Sequence, residues 1–201
     1  MAVKNSGVTH VANLSSLGGQ TTVGTGIVAG LARLEEKLNK LKGINVLHLR
    51  PSYFMEDLLG QIGMIKSMGM FGSAIKPDVS LPFVATQVIA RVAAEKLAKL
   101  DFKGHSVFPI MYSRNYTMVE VARALEAAIG KPDLKYDQVP PDQAKGALMQ
   151  MGFSTSIADS FNGLSEGINN GVMNFDKRTP ESTTPTTIED FAKLFARIYN
   201  G

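Results

Sequence analysis

The sequence predicts an α/β fold. A parallel sheet with flanking helices occupies the first half of the chain, and a smaller, mostly helical lobe follows it. Three observations carry this. VTHVANLS (8–15) and INVLHLR (44–50) are apolar runs bounded by turn residues, the pattern of buried parallel strands. Between them, Ile27 to Lys42 places Leu31, Leu34, Leu38 and Leu41 at the spacing of an amphipathic helix. Strand, helix and strand within about 40 residues make a βαβ unit. Beyond residue 110 the pattern turns to helices separated by short extended pieces. Residues 1–110 are therefore assigned to the sheet portion and 111–201 to the lobe with the closing helix, the two interleaved as one structural unit.

The elements follow in order. LGGQTTVGTG (17–26) reads as a loop into the first helix, and Gly43 stands where a helix ends on a left-handed residue. Pro51 is expected to stop the second strand, since it has no N–H to give to a ladder. Phe54 to Ser67 reads as helix and GMFGS (69–73) as a turn. LPFVAT (81–86) is a short extended piece before a helix over Gln87 to Leu100, and HSVFPIM (105–111) is a third strand. Thr117 and Glu120 form a T-x-x-E capping box opening a helix to Ile129. LKYDQVP (134–140) is a short strand, and helices follow over 140–152 and after Ser154. RTPESTTPTT (178–187) is loop, and TIEDFAKLFARIYN (187–200) closes the chain as an amphipathic helix. There is no internal repeat.

Composition excludes several classes. With 201 residues the chain can bury roughly 70% of its unfolded surface and needs neither disulfide nor metal to fold. It has no Cys. Net charge is +3, with Lys and Arg scattered rather than clustered, so no nucleic-acid partner is expected. No apolar run reaches the ~18 residues of a membrane span, and MAVKNSGVTH lacks the apolar core of a secretory signal. The expected setting is cytoplasmic. His10, His48 and His105 lie far apart, without metal-ligand spacing, so no metal site is expected. The methionines at 55–70 and 148–151 read as adaptable packing or as a greasy pocket.

GTGIVAG (24–30) has the look of a phosphate-cradling turn. Such a turn should follow directly on a strand, open a helix toward the pyrophosphate, and be answered about 20 residues on by an acid for the ribose. Only the helix condition is met. LGGQTTV intervenes after the strand, and the next strand ends in Arg50, which reads as a strand-end anchor. GTGIVAG is read as a flexible loop running into a helix.

Taken together, THVANLSSLGG, LARLEEKLNKLKGINVLHLRPSYFMEDLL, LPFVATQVIARVAAEKL, FKGHSVFPIMYSRNYTMVEVARALEAAIGKPDLKYDQVP and TTPTTIEDFAK resemble the NmrA-like branch of the atypical short-chain dehydrogenase/reductases. That resemblance implies a partial Rossmann-type sheet and an NAD(P) cofactor. It implies hydride transfer to a small organic acceptor if the N-terminal half of the family fold were present. The match begins in the middle of the family pattern: only MAVKNSG precedes VTHVANLSS, where relatives carry a Gly-rich cofactor turn and further strands. Two expectations follow. This chain alone should bind NAD(P) weakly or not at all, with weak or no activity. The bare edge of the first strand should pair, most simply with another copy in a homo-oligomer. The alternative is a non-catalytic module that senses NAD(P) redox state or binds a protein partner.

The resemblance also assigns site residues. Ser15 and Ser16 would sit beside the nicotinamide half of the cofactor; the residues alone equally allow hydroxyls that satisfy strand-end backbone groups. Pro51, Ser52 and Tyr53 would contact the cofactor, and Tyr53, Phe54 and Met55 would line a small-molecule substrate pocket at the strand's C-terminal end. Tyr53 could instead belong to a core aromatic cluster. No catalytic residue is assigned: the Tyr-x-x-x-Lys pair of classical relatives is absent, with Leu31 at the Lys position and Ile27 four residues before it. Gln87 and Val88 replace a charged pair usual in the family, leaving that helix start without its own charge.

Overall fold

The computed structural model of the chain describes residues 2–173 and 178–201. Its elements run α1 (Ala2–Asn5), β1 (His10–Leu14), a 3₁₀ turn at Gly26–Val28, α2 (Ala29–Leu38), β2 (Asn45–Pro51) and β3 (Tyr53–Phe54). A 3₁₀ stretch (Met55–Gln61) leads into α3 (Ile62–Met68), β4 (Phe71–Ser73), β5 (Ser80–Val84), α4 (Thr86–Lys99), β6 (His105–Tyr112) and β7 (Asn115–Thr117). The chain closes through α5 (Met118–Ile129), β8 (Tyr136–Gln138), α6 (Pro141–Gln150), α7 (Thr155–Asn169), β9 (Thr183–Thr184) and α8 (Ile188–Asn200).

The main sheet is parallel throughout, in the order β1-β2-β6-β9. The expected βαβ unit is therefore present, and β1 is the outer strand of this sheet among the described residues. Helix α2 covers one face of β1 and β2, where Leu38 packs near Val46 in a small core with Leu41 and Ile44. Helix α4 lies on the other face, with Val88 and Ile89 in the main core beside Leu47 and Leu49. That main core extends to α5 and α8, where Val121, Leu125, Phe191 and Phe195 are fully buried. Its contiguity supplies the hydrophobic driving force, at roughly 25 cal/mol per Å² of apolar surface removed from water.

Several local expectations are corrected. Pro51 does end β2 as expected, but from within it, as its last residue opposite Ile110, and Ser52 N–H adds one more bond to the Ile110 carbonyl at 2.9 Å. The parity of the ladder puts the missing Pro51 N–H on the β1 side, where β1 has already ended. Phe54 opens no helix: Tyr53 and Phe54 pair with Phe83 and Val84 before the 3₁₀ stretch. GMFGS is a turn only at Gly69, the left-handed cap of α3; Phe71 to Ser73 pair in parallel with Tyr136 to Gln138. The leucine stripe is only partly the buried face of α2: Leu38 is buried, as is Leu41 just beyond the helix, and Leu31 is half-buried. Leu34 is exposed, and the buried residues are Ala29, Ala32, Glu35 and Leu38. α2 also ends at Leu38, with Asn39 as its cap, so Gly43 turns the chain into β2 rather than capping the helix.

Two helix starts show how charge is supplied. The Thr117–Glu120 box is complete, with Glu120 N–H on the Thr117 hydroxyl at 3.2 Å and Thr117 N–H on the Glu120 carboxylate at 2.7 Å. The start of α4 has no charge of its own, as expected, but the Glu56 carboxylate reaches across and accepts the Thr86 N–H at 3.0 Å. A carboxylate at a helix N-terminus is favourable whichever segment brings it.

Candidate functional site

Parallel sheets present ligands at the carboxyl ends of their strands. Here β1 is followed by Ser15 and Ser16, and β2 by Ser52, with Ser15 N–H bonded to the Leu49 carbonyl at 2.8 Å and Leu17 N–H to the Pro51 carbonyl at 3.0 Å. A cavity of about 240 Å³ opens between these strand ends, the 3₁₀ turn at Gly26–Val28 and helix α7. Ser15, Ser16, Ser52, Tyr53 and Phe54 line it, together with Ile27, Leu31, Asp57, Leu164, Ile168 and Met173. Two larger hollows, near Lys40 with His105 and near Tyr112 with Arg178, are open to solvent. The first lies at the amino ends of the strands, the wrong end for this architecture.

Behind the cavity wall stands a buried charged cluster. Glu35 projects from α2 onto the sheet and receives Arg50 in a fork, Nε to Oε1 at 3.0 Å and Nη2 to Oε2 at 2.6 Å. The Ser15 hydroxyl donates to the same Oε1. Burial alone would raise the Glu35 pKa; the Arg50 and Ser15 hydrogen bonds outweigh it and hold the carboxyl below its ordinary range. Ser15 is thus committed as a donor on the protein side, and toward the cavity its oxygen can only accept. Gly19 closes over the pair, since a Cβ there would lie 2.7 Å from Glu35 Oε1 and 2.8 Å from Ser15 Oγ. One step along the sheet, His48 Nδ1 meets Asn13 Nδ2 at 3.1 Å and His48 Nε2 meets Asn39 Oδ1 at 2.9 Å. Burial lowers the His48 pKa, and a neutral ring carrying its proton on Nε2 satisfies both partners.

The glycines of GTGIVAG have an unforeseen partner. A Cβ on Gly26 would lie 2.2 Å from Leu164 N and from Ser160 O, and one on Gly167 would lie 2.1 Å from Gly24 O. Gly24 and Gly26 therefore pack directly against the Gly163–Gly167 face of α7. The backbone of α7 fills the space where a phosphate would have to sit. The contact also closes the cavity, because Ile27 and Val28 come from one side of it and Leu164 and Ile168 from the other.

Two titratable groups face the cavity. Burial and the nearby Asp57 charge raise the Tyr53 pKa, so its phenol is a neutral O–H donor at physiological pH. Asp57 stands exposed at the mouth; the cavity walls and the charge of Glu56 push its pKa up to about 6. The Ser52 hydroxyl is buried, with the residue 6% exposed, and has no hydrogen-bond partner. A buried polar group without a partner costs about 1–3 kcal/mol, and a ligand in this wall would relieve that cost.

The structure thus brings Ser15, Ser16, Ser52, Tyr53 and Phe54 to one cavity. Tyr53 also packs edge-on against Phe83 at 5.2 Å, so it serves core and cavity at once. Pro51 and Met55 do not line it: Pro51 is buried in the strand ladder, and Met55 is fully buried in the core. Ser15 is bonded to a carboxylate rather than to strand-end backbone. Ile27 and Leu31 face the cavity as apolar walls. Arg50 is the anchor expected of it, but its partner Glu35 escaped a reading based on the leucine stripe. Asp57 and the α7 wall were also missed. Among the described residues no group of His, Asp or Glu could hold a metal ion, and no helix is long and apolar enough to cross a membrane.

No family model matches the chain. A curated NAD(P)H azoreductase of Xenophilus azovorans is 28% identical over 163 residues, covering 81% of this chain. Among solved structures, an NADPH-dependent quinone oxidoreductase of Escherichia coli complexed with NADPH superposes with a TM-score of 0.80 at 22% identity, covering 96% of this chain and 68% of that one. NmrA itself, a negative transcriptional regulator in complex with NAD, superposes with a TM-score of 0.67 at 13% identity, covering 98% of this chain and 67% of that one. The chain shares the fold of these proteins. Its parallel sheet with flanking helices is the Rossmann-type architecture of those neighbours. The chain spans 56% of the azoreductase's length.

Proposed function

We propose that this chain provides the acceptor-binding side of an NAD(P)-linked reduction, taking a small aromatic acceptor into the cavity between Ser16, Ser52 and Leu164. The observation that carries the reading is the buried, unpartnered Ser52 hydroxyl in a largely apolar cavity at the strand ends. A dinucleotide fits these residues only in part. The cavity admits a ring the size of nicotinamide, with the Ser15 oxygen as acceptor and the Tyr53 hydroxyl as donor. GTGIVAG offers the pyrophosphate no cradle, since α7 occupies it. When bound, a reduced nicotinamide would supply the hydride. The chain's own residues enclose the acceptor, keep water from the ring and place hydrogen-bonding groups around it.

Titration with NADH and NADPH is expected to show no saturable binding in the micromolar range, while an azobenzene or quinone binds. Filling the cavity by Leu31→Trp should weaken that acceptor binding by about tenfold, near 1.4 kcal/mol. Micromolar NAD(P)H affinity would overturn the weak-cofactor expectation. Acceptor binding untouched by Leu31→Trp would overturn the cavity assignment.

A second reading has its own observation. Ile27 and Leu31 face the cavity without any proton-transfer chemistry, which favours a ligand-sensing or protein-binding module without turnover. Acceptor-dependent oxidation of NADPH by the chain would overturn this second reading. We also infer self-association through β1, whose flanking Val8 and whose Leu14 are exposed. Ladder parity points the Ala12 N–H outward, so Ala12→Pro should turn a dimer seen by sedimentation into a monomer. A wild-type chain that stays monomeric at high concentration contradicts this.

A further inference from the structure

The cavity carries one full charge and no compensation for it. Among its described lining residues there is no Lys, Arg or His, and Asp57 is the single carboxylate. Asp57 makes no hydrogen bond or ion pair among the described residues, unlike Glu35, Glu56 and Glu120, each of which is held by a partner. It stands at the mouth, while the unpartnered Ser52 hydroxyl lies in the buried wall. The cavity therefore has a direction: apolar and hydrogen-bonding within, negative at its opening.

From this we infer that the cavity selects flat aromatic molecules carrying a positive charge at one end, the ring inside and the cationic group against Asp57. This rests on the acceptor-binding reading above and adds to it the charge class of the ligand. The cavity, at about 240 Å³, lies just below the range of drug-sized sites, roughly 300–1,000 Å³, so one or two rings fill it. A cationic group at the mouth gives Asp57 the partner it lacks, and an anionic one meets it at close range. The whole chain carries a formal charge of +3, which opposes cations at long range. Any cation preference must therefore be local, and salt must weaken it.

The selectivity is cleanly tested with three azobenzenes of one shape: a neutral dimethylamino derivative, its quaternary trimethylammonium counterpart and the sulfonate. Their binding to the chain is measured by equilibrium dialysis at neutral pH, without nicotinamide. The cationic member is expected to bind about fivefold more tightly than the neutral one, the order of a partly exposed ion pair, and the sulfonate more weakly than either. The preference should vanish in Asp57→Asn, which keeps the shape of the side chain and remains folded by circular dichroism. It should also shrink in molar salt with the wild-type chain, a measurement that needs no variant. If the neutral dye binds and the cation gains nothing, or if Asp57→Asn keeps the preference, this inference falls and the acceptor-binding reading stands. If none of the three binds, both fall.

Discussion

Replacing Arg50 with alanine is expected to cost the fold about 3–5 kcal/mol, the range for stranding one member of a buried ion pair. The side chains of Arg50 and Glu35 are only 11% and 5% exposed, so water cannot replace the lost guanidinium. For a chain of this size a loss of that order lowers the melting temperature by about 10 °C. Glu35→Leu should be comparably damaging, because it leaves the guanidinium unpaired. Arg50→Met combined with Glu35→Leu should recover most of the loss, since neither charge then remains to be buried. Recovery in the double variant distinguishes an uncompensated charge from a simple packing defect, in which the two losses would add. The pH dependence carries a sign. In the wild type the Glu35 pKa is depressed in the folded state. Its stabilising contribution is complete above the unfolded value, near 4.5, and is lost as pH falls through the lower folded value. In Arg50→Ala burial is opposed mainly by the Ser15 hydrogen bond, so the Glu35 pKa rises and the penalty should shrink as the medium is acidified from neutrality. Urea unfolding of both proteins at neutral and mildly acidic pH reads the difference directly.

The elements most legible in the sequence are those fixed by local periodicity. β1, β2, β6 and the capped helix α5 could be placed from apolar runs and from the Thr117–Glu120 pair. The site was legible as far as strand ends reveal it: Ser15, Ser16, Ser52 and Tyr53 follow strands, and a parallel sheet puts such residues together. What escaped depends on contacts across long stretches of chain. β4 is three residues whose partner begins at Tyr136, too short and too distant for a periodic signal. Glu35 sits one position from the exposed Leu34, and only the arrival of Arg50 and Ser15 turns that face inward. Asp57 lies in FMEDLL, which reads as helix; the 3₁₀ geometry there, with Glu56 turned to α4, leaves Asp57 at the cavity mouth. The glycines at 24 and 26 advertise a phosphate loop because the glycines that explain them, 163 and 167, lie in another helix far along the chain.

Those glycines give the second large effect, and it changes sign within seven residues. Gly30→Ala should stabilise the chain by about 0.5–1 kcal/mol, because Gly30 lies in helix α2 with nothing within 4 Å of a Cβ. Gly26→Ala should destabilise it by about 3 kcal/mol or more. Its φ of +53° is unfavourable for alanine, and the added Cβ would lie 2.2 Å from backbone atoms of α7, which cannot rotate away as a side chain could. Gly167→Ala should behave like Gly26→Ala even though alanine is the better helix former, because its Cβ would meet the Gly24 carbonyl at 2.1 Å. Calorimetry on the three variants reads these signs, and dye binding reads the consequence for the cavity. Separating Ile27 and Val28 from Leu164 and Ile168 opens its wall, so Gly26→Ala and Gly167→Ala should lose ligand while Gly30→Ala keeps it. A phosphate-binding loop would behave otherwise. There the glycines would give way to side chains at little cost to the unliganded fold, and the loss would appear in nucleotide affinity instead. Unchanged stability in Gly26→Ala would return GTGIVAG to that role and take α7 out of the cavity wall.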